Sequence, residues 1–496
     1  MTTMIKKRIT GTAALALLLA VGGCAVGPDF QKPEAPATRG YTAEPLPAQT
    51  TSAPGIAGEA QRFVEGQDVP AQWWRVFGSD ALDELVASAL RANPDLQAAQ
   101  AALRAAQEGV AAQRGAALPK VDLQFTPTRQ RVADPVASSA ESGASLYTLH
   151  SAQLSISYVP DVFGANRRQV EALTAQADVQ RFQREAVYIT LTTNIVNAAI
   201  QEASLRAQCQ ATRDLIALST QLLDITRRQH AAGQLGGIEV AAQESALAQA
   251  EAVLPGLEKQ LAQQRHLLAV LGGRLPSEDV APRFELASLV LPQELPLSLP
   301  SRLVEQRPDI RAAQAQLHAA SAQVGVATAA RLPSLTLTAN VGSSALALSQ
   351  LLGSGTGFWF VGAELAQPIF RGGTLLHQQR AAEASYEQAA AQYRSTVLTA
   401  FQNTADTLQA IVSDAQTLRA AAAAEAASRK SLGYARRQRE LGAGGATDLI
   451  LAQQTHQQAA STLIQAQASR FTDAVALFQS LGGGWWNVAA ADDTPH

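Results

Sequence analysis

Sulfur is nearly missing from this sequence. Both methionines stand at Met1 and Met4, so a chain that loses its leader has none, and a path lined by thioether ligands for soft metal ions is not expected. Aromatic residues make up only 5%. That scarcity, beside abundant Ala, Gln, Leu and Arg, favours long helices over a sandwich or barrel throughout. After residue 23 no stretch supplies the ~20 consecutive apolar residues that a membrane helix needs. Positive charge is not in excess either: the formal net charge is −3, so nucleic acid is not expected as a ligand. The seven histidines are scattered. No H-E-x-x-H, C-x-x-C, P-loop or G-x-S-x-G pattern occurs, so neither catalytic residues nor a metal site are expected. The paired acids Asp83-Glu84 and Glu278-Asp279 read as solvated faces.

What is present begins with a leader. Lys6, Lys7 and Arg8 precede GTAALALLLAV, an apolar run of the length of a signal-peptide core. The run closes on Val21-Gly22-Gly23-Cys24, which resembles the bacterial lipobox. Cys24 is then expected to carry covalent lipid and to become the first residue. Ala25 after it, in place of aspartate, points to the outer membrane. Loss of the three leader cations moves the formal charge from −3 to −6. Once Cys24 is acylated, the other cysteine, Cys209, has no partner in the chain and reads as packing.

The body of the chain is a duplication. NPDLQAAQAALRAA from Asn93 returns as RPDIRAAQAQLHAA from Arg307. The matches Pro94/Pro308, Asp95/Asp309, Leu103/Leu317, Val110/Val324 and Pro119/Pro333 all keep a spacing of 214. RRQHAAG at Arg227 echoes RRQRELG at Arg436, and both copies close on LGG, at Leu271 and Leu481. Shared prolines in a shared order are not a by-product of alanine richness. Six segments result: a leader over 1–23, an acylated segment over 24–75, a first repeat over 76–273, a linker over 274–300, a second repeat over 301–484 and a tail over 485–496.

Each repeat predicts the same elements. A helix starts at Pro94 or Pro308 and ends before Pro119 or Pro333. Two alternating segments come next, VDLQF and LYTLHSAQLSISYV in one copy, LTLTANV and GFWFVGAELAQ in the other, with loops over 133–145 and 342–357. Pro160 and Pro368 end them. A helix of roughly 70 residues, about 100 Å long, then runs to the glycine-rich turns near Gly233 and Gly442, and a return helix covers 238–271 or 446–481. Such long Ala-rich helices need neighbours along their whole length. The strands alternate and carry aromatics near their ends, as membrane-barrel strands do. Four strands cannot close a barrel, and open edges cannot sit in lipid, so several copies must pool their strands in a ring.

These residues resemble a family, the TolC-like outer-membrane factors, and within it the lipoprotein branch that includes OprM. The likeness rests on CAVGPDFQKPEAP, WWRVFGSDALDELVASALRANPDLQAA, LPSRLVEQRPDIRAAQAQLHAASAQVGVATAARLPSLTL and SLGGGWW, and covers nearly the whole mature chain. It implies a mainly α chain with membrane β: a homotrimer whose twelve strands form a barrel in outer-membrane lipid, continuous with a tunnel of long helices across the periplasm. The linker and both tails would form a belt around it. No cofactor beyond the lipid on Cys24 is implied. The implied partners are a periplasmic adaptor and an inner-membrane pump, proton-driven, for which the trimer is the passive exit of small molecules such as drugs, dyes or solvents. Two other functions remain open: the exit of a type I protein secretion system, and a non-conducting spacer across the periplasm.

Two candidate sites emerge from the resemblance. Gly233, Gly236, Gly442 and Gly445 occupy equivalent turns in the two copies and resemble the family's adaptor-docking turns, although helix capping alone accounts for some of them. Asp448 matches a position where the family has a pore-facing aspartate, and Leu451 stands where TolC-like members have a second. Three Asp448 carboxylates beside a Leu451 constriction would form the gate, with Arg436, Arg437 and Arg439 as partners. The plainer reading makes Asp448 an acid in the first turn of a helix, favoured by the helix dipole.

Overall fold

The computed structural model describes residues 25–38, 40–131, 146–280, 282–441 and 443–487. The leader, Cys24, the 133–145 loop and Gly442 therefore lie outside the described residues, as does the tail beyond Asn487. In chain order the elements are β1 (Arg62–Glu65), α1 (Asp80–Ala92), α2 (Pro94–Gly115), β2 (Lys120–Arg131), β3 (Leu146–Tyr158), α3 (Ala165–Ala231), α4 (Gly237–Leu271), β4 (Glu294–Leu297), α5 (Pro300–Gln306), α6 (Pro308–Ala329), β5 (Ser334–Ala345), β6 (Gly357–Ala366), α7 (Thr374–Glu440) and α8 (Ala446–Ser480). A 3-10 turn, Trp73–Phe77, precedes α1 and straddles the expected boundary at residue 76.

The duplication survives in helix lengths. Helices α2 and α6 have 22 residues each, α3 and α7 have 67, and α4 and α8 have 35. The repeat spacing is 214 at the start of α2 and α6 but 209 from Ala165/Thr374 onward, so the length difference falls inside the β-hairpins. Equivalent residues do equivalent work. Asn93 caps α2 with Oδ1, which accepts from Asp95 N and Leu96 N at 2.9 and 3.2 Å, and its Nδ2 donates to Leu271 O at the end of α4. Arg307, its counterpart before α6, donates to Ser480 O at the end of α8. Gly273 (φ 72°) and Gly482 (φ 97°) are a second such pair, because a Cβ there would meet Ala92 O at 2.6 Å and Gln306 O at 3.0 Å. The LGG echo is thus displaced by one residue: the second glycine of the first copy does the work of the first glycine of the second.

The chain divides into two compact units that cut across the repeats. One comprises Met1–Pro33, Ala102–Gln180 and Ala313–Tyr393 and holds the four-stranded antiparallel sheet β2-β3-β5-β6. Strand β5 runs to Ala345, which corrects the loop expected from residue 342. Gly342 belongs to the ladder, and only glycine fits there, since a Cβ would lie 2.5 Å from Ala152 O. In this unit the first residues after Cys24 are strapped down. Val26 N donates to Phe163 O, and Arg168 donates to Val26 O and binds Asp29 at 2.7 Å. Phe30 stacks on His318 at 4.4 Å, and His318 meets Glu171 at 2.9 Å.

The second unit, Glu34–Ala101, Arg181–Ala312 and Arg394–His496, contains the main core. Trp73 and Phe77, both 0% exposed, pack against Phe478 and Phe471 of α8 with ring centroids 5.5 and 6.2 Å apart. Asp83 is not the freely solvated acid its sequence context predicts. It accepts from Trp74 Nε1 at 2.9 Å and from Arg75 at 2.7 Å, which pins the turn to α1, and the Arg75 contact holds its carboxyl below the usual range. Sequence reading missed β1 and β4, which pair in parallel and join the N-terminal segment to the linker. Arg470, 0% exposed, donates to Gln61 Oε1 at 2.7 Å and Glu59 O at 3.1 Å, which fixes that segment on α8.

One turn along α8, burial and then neighbouring Asp414 on α7, which shares a hydrogen bond with it, push the Asp473 carboxyl up to about 7, against the pull of Arg470. The folded chain keeps a proton there that the unfolded chain loses near the ordinary aspartate value of 3.8. Stability contributed by this site is therefore full below about pH 4, falls as pH rises toward 7, and is flat above. Asp473→Asn is expected to flatten that fall in thermal unfolding profiles and to be the more stable protein at pH 8 by about 1–2 kcal/mol. Parallel profiles for the two proteins would reject the assignment.

Candidate functional site

The four-stranded sheet has two unlike faces. Residues opposed in an antiparallel ladder share a face, and alternate residues change face. The register Leu123↔Leu154↔Val341↔Trp359 therefore puts these four side chains on one side, with Val121, Phe125, Ile156, Leu337, Val361 and Leu365. Leu123, Trp359, Val361 and Leu365 are 70–81% exposed, so no described part of this chain covers that side. The other side carries Asp122, Gln124, Gln153, Ser155, Asn340 and Glu364. Polar groups there bond across strands: Gln153 to Gln124 at 3.4 Å, Ser155 to Asn340 at 2.7 Å and Ser151 to Ser344 at 2.9 Å. Strands β2 and β6 form the outer edges. A sheet that is oily outside, wet inside and unpaired at both edges is one sector of a membrane barrel.

The helical hairpin turns are built alike in both copies. In the first, Gly233 (φ 72°) ends α3, Gln234 N returns to Gln229 O at 2.9 Å, and a Cβ at Gly233 would meet nothing. This is the Schellman closure that favours glycine. Ala443 N returns to Gln438 O at 2.9 Å in the second copy. Gly236 and Gly445 are the N-caps of α4 and α8, both extended, and a Cβ on either would press on the acid three residues on, Glu239 Oε2 at 2.9 Å or Asp448 Oδ2 at 3.1 Å. Asp448 is thus an exposed first-turn acid with Glu239 as its twin, which is the plainer sequence reading, and the dipole stabilises each carboxylate. Leu451 is 62% exposed.

Within one chain the three arginines do not gather on Asp448. Arg437 pairs with Glu440 at 3.0 Å. Arg439 donates to Gly444 O at 3.4 Å and Gln229 Oε1 at 3.3 Å, and so repeats the role of His230, whose Nδ1 lies 2.8 Å from Leu235 O. Arg436 is the informative one. Its counterpart Arg227 binds Glu244 at 2.7 Å, but the position equivalent to Glu244 holds Gln453. Gln453 is 3% exposed with both amide atoms unpartnered, and Arg436 Nε is buried and unpartnered too. Both line a cavity of about 930 Å³ between α3, α4, α7 and α8, along with Glu425 and His456. His456 Nδ1 lies 3.8 Å from the Glu425 carboxylate, and burial pulls its pKa down. Sequence reading missed this cavity, although the Glu-to-Gln difference between matched positions 244 and 453 stands at its wall.

Together the sheet and the duplicated hairpins define a pore-forming chain of the outer-membrane type. Comparison with known proteins agrees. The family model described as outer membrane efflux protein matches residues 85–274 and 299–483, one match per repeat. The toluene efflux pump outer membrane protein TtgC of Pseudomonas putida is 30% identical over 497 residues, covering 99% of each chain. The pyoverdine export outer membrane protein OpmQ of Pseudomonas aeruginosa is 31% identical over 418 residues, 84% of this chain and 87% of that one. Among solved structures, the outer-membrane channel OprN superposes with a TM-score of 0.82 at 26% identity, over 93% of this chain and all of that one. VceC of Vibrio cholerae gives 0.75 at 26% identity, over 84% and 99%. The chain belongs to the outer membrane efflux protein family, and its place is the outer membrane.

Proposed function

We propose that three copies of this chain assemble into a passive exit duct for small molecules, held in the outer membrane by a twelve-stranded barrel and by lipid on Cys24. The observation that carries the reading is the sheet, apolar on one face and polar on the other with two free edges. Threefold repetition pairs β6 of each copy with β2 of the next and leaves no edge in lipid. Relatives named for toluene and pyoverdine support small molecules over polypeptides as cargo. Force comes from outside the duct: a periplasmic adaptor seats on the turns of Gly233, Gly236, Gly442 and Gly445, and an inner-membrane pump, proton-driven, loads it. The purified protein is expected to conduct ions in a planar bilayer, and a deletion strain to gain sensitivity to drugs or solvents. A non-conducting oligomer would overturn the duct, and a strain deficient only in an exported polypeptide would overturn the cargo.

The duct is shut at the hairpin end by three Asp448 carboxylates beside Leu451, with Arg436, which lacks the carboxylate its twin Arg227 binds, as a partner from α7. Asp448→Ala is expected to raise the resting conductance of the isolated trimer several-fold without changing its open level. A resting level equal to that of the wild type removes Asp448 from the gate and leaves the duct untouched.

A further inference from the structure

The apolar face of the sheet is unevenly charged. Among its described residues the only charged side chains are Arg129 and Arg131, and both lie at the end of β2 farthest from helix α2. The near end of the same face, Val121, Ile156, Leu335 and Leu365, carries no charge. Both arginines are exposed, and no described residue forms an ion pair or side-chain hydrogen bond with either. Beside them, His150 stands opposite Pro127 on this face, its ring stacked on Phe125 at 6.3 Å, which buries its Nδ1.

An arginine on a lipid-facing surface is costly near the bilayer midplane and tolerated at a rim. Two at one rim, and none at the other, match a membrane whose leaflets differ in headgroup charge. Given the barrel reading above, on which this rests, the far rim meets the outer leaflet, whose glycolipid carries phosphate on its sugar headgroup. Guanidinium forks bind phosphate through paired N–H donors.

We infer that Arg129 and Arg131, with His150 beside them, form a site for the phosphorylated headgroup of the outer-leaflet glycolipid, one per copy, on the outside of the barrel. Arg131 and Arg129 hold phosphate oxygens, the paired Phe125 and His150 rings flank them, and acyl chains lie over Leu123, Leu154 and Val341.

The test uses the full-length protein purified from outer membranes, stripped of lipid by detergent exchange and titrated with bisphosphorylated lipid A under native mass spectrometry. Wild-type protein is expected to bind lipid A more tightly than its dephosphorylated form and more tightly than phosphatidylglycerol. The double variant Arg129→Gln/Arg131→Gln is expected to lose about fivefold in affinity per arginine and to stop discriminating the dephosphorylated form. Equal binding by wild type and variant overturns the site, and so does equal binding of phosphatidylglycerol and lipid A. Bilayer conductance of the same preparations reports the barrel separately: conducting protein without lipid A preference defeats only this inference, whereas wild-type protein that neither oligomerises nor conducts defeats the barrel.

Discussion

Arginine in place of Leu154 is expected to abolish assembly in the outer membrane, while arginine in place of the adjacent Gln153 is expected to leave it intact. The two positions differ by one residue and therefore by one face. Leu154 stands between Leu123 and Val341 on the apolar side, near the middle of β3. A guanidinium there enters hydrocarbon with no carboxylate in reach, at a cost of about 2–4 kcal/mol per site near the midplane. In the proposed trimer, three copies multiply that cost in one barrel. Gln153 lies between Gln124 and Gly342 on the polar side, where a longer charged side chain extends into water and removes only one weak hydrogen bond. Heat-modifiable migration of the oligomer from isolated outer membranes measures the outcome. Equal assembly of both variants would mean that the faces have been assigned the wrong way round, or that the sheet is not in lipid.

Gly484→Ala is the second large effect, and its cause lies at the end of the second repeat. Residues Gly482, Gly483 and Gly484 all have positive φ, and at Gly484 (φ 69°) a Cβ would sit 2.4 Å from Pro70 O and 2.7 Å from Val69 O. Alanine must bear left-handed strain of about 1–2 kcal/mol and displace backbone that cannot yield easily, for a total of about 3 kcal/mol or more. The turn also aims the three residues after it. Trp485 Nε1 donates to Gln306 O at 2.7 Å, Trp486 Nε1 to Asp68 at 3.1 Å, and Asn487 Nδ2 to Val69 O at 2.8 Å. These ties fasten residues 485–487 to the 68–70 segment and to the end of α5. Gly233→Ala is the control, since its φ is similar but its Cβ would meet open space, so it loses only about 1 kcal/mol. A thermal midpoint for Gly484→Ala no lower than that for Gly233→Ala would refute this account.

The helices were legible because proline and glycine mark them physically. Pro94 and Pro308 occupy first turns where no donor is missed, and the two 67-residue helices contain no proline. The outer strands were legible by alternation, but their ends were not. Gly342, Ser343 and Ser344 look like loop residues, yet they stay in the ladder because β3 approaches too closely for a side chain at 342, and Ser344 bonds Ser151. Strands β1 and β4 are four residues each, RFVE and ELPL, too short to show a period, and they pair across more than two hundred residues of chain. No local pattern carries that information. Turn glycines were readable as positions, whereas Arg436 lost the carboxylate its twin Arg227 binds, at helix position 453 outside the turn.

Pro255 has a consequence for assembly. It lies inside α4, where it deprives Glu251 of a backbone donor, and the equivalent residue of α8 is Ile464. The two hairpins are therefore not interchangeable, however alike their turns. A threefold ring built from them offers two alternating kinds of cradle, three of each, and never six of one. An adaptor that recognises only one kind binds in a ratio of one per copy. One that fills both must use two different footprints on the same surface.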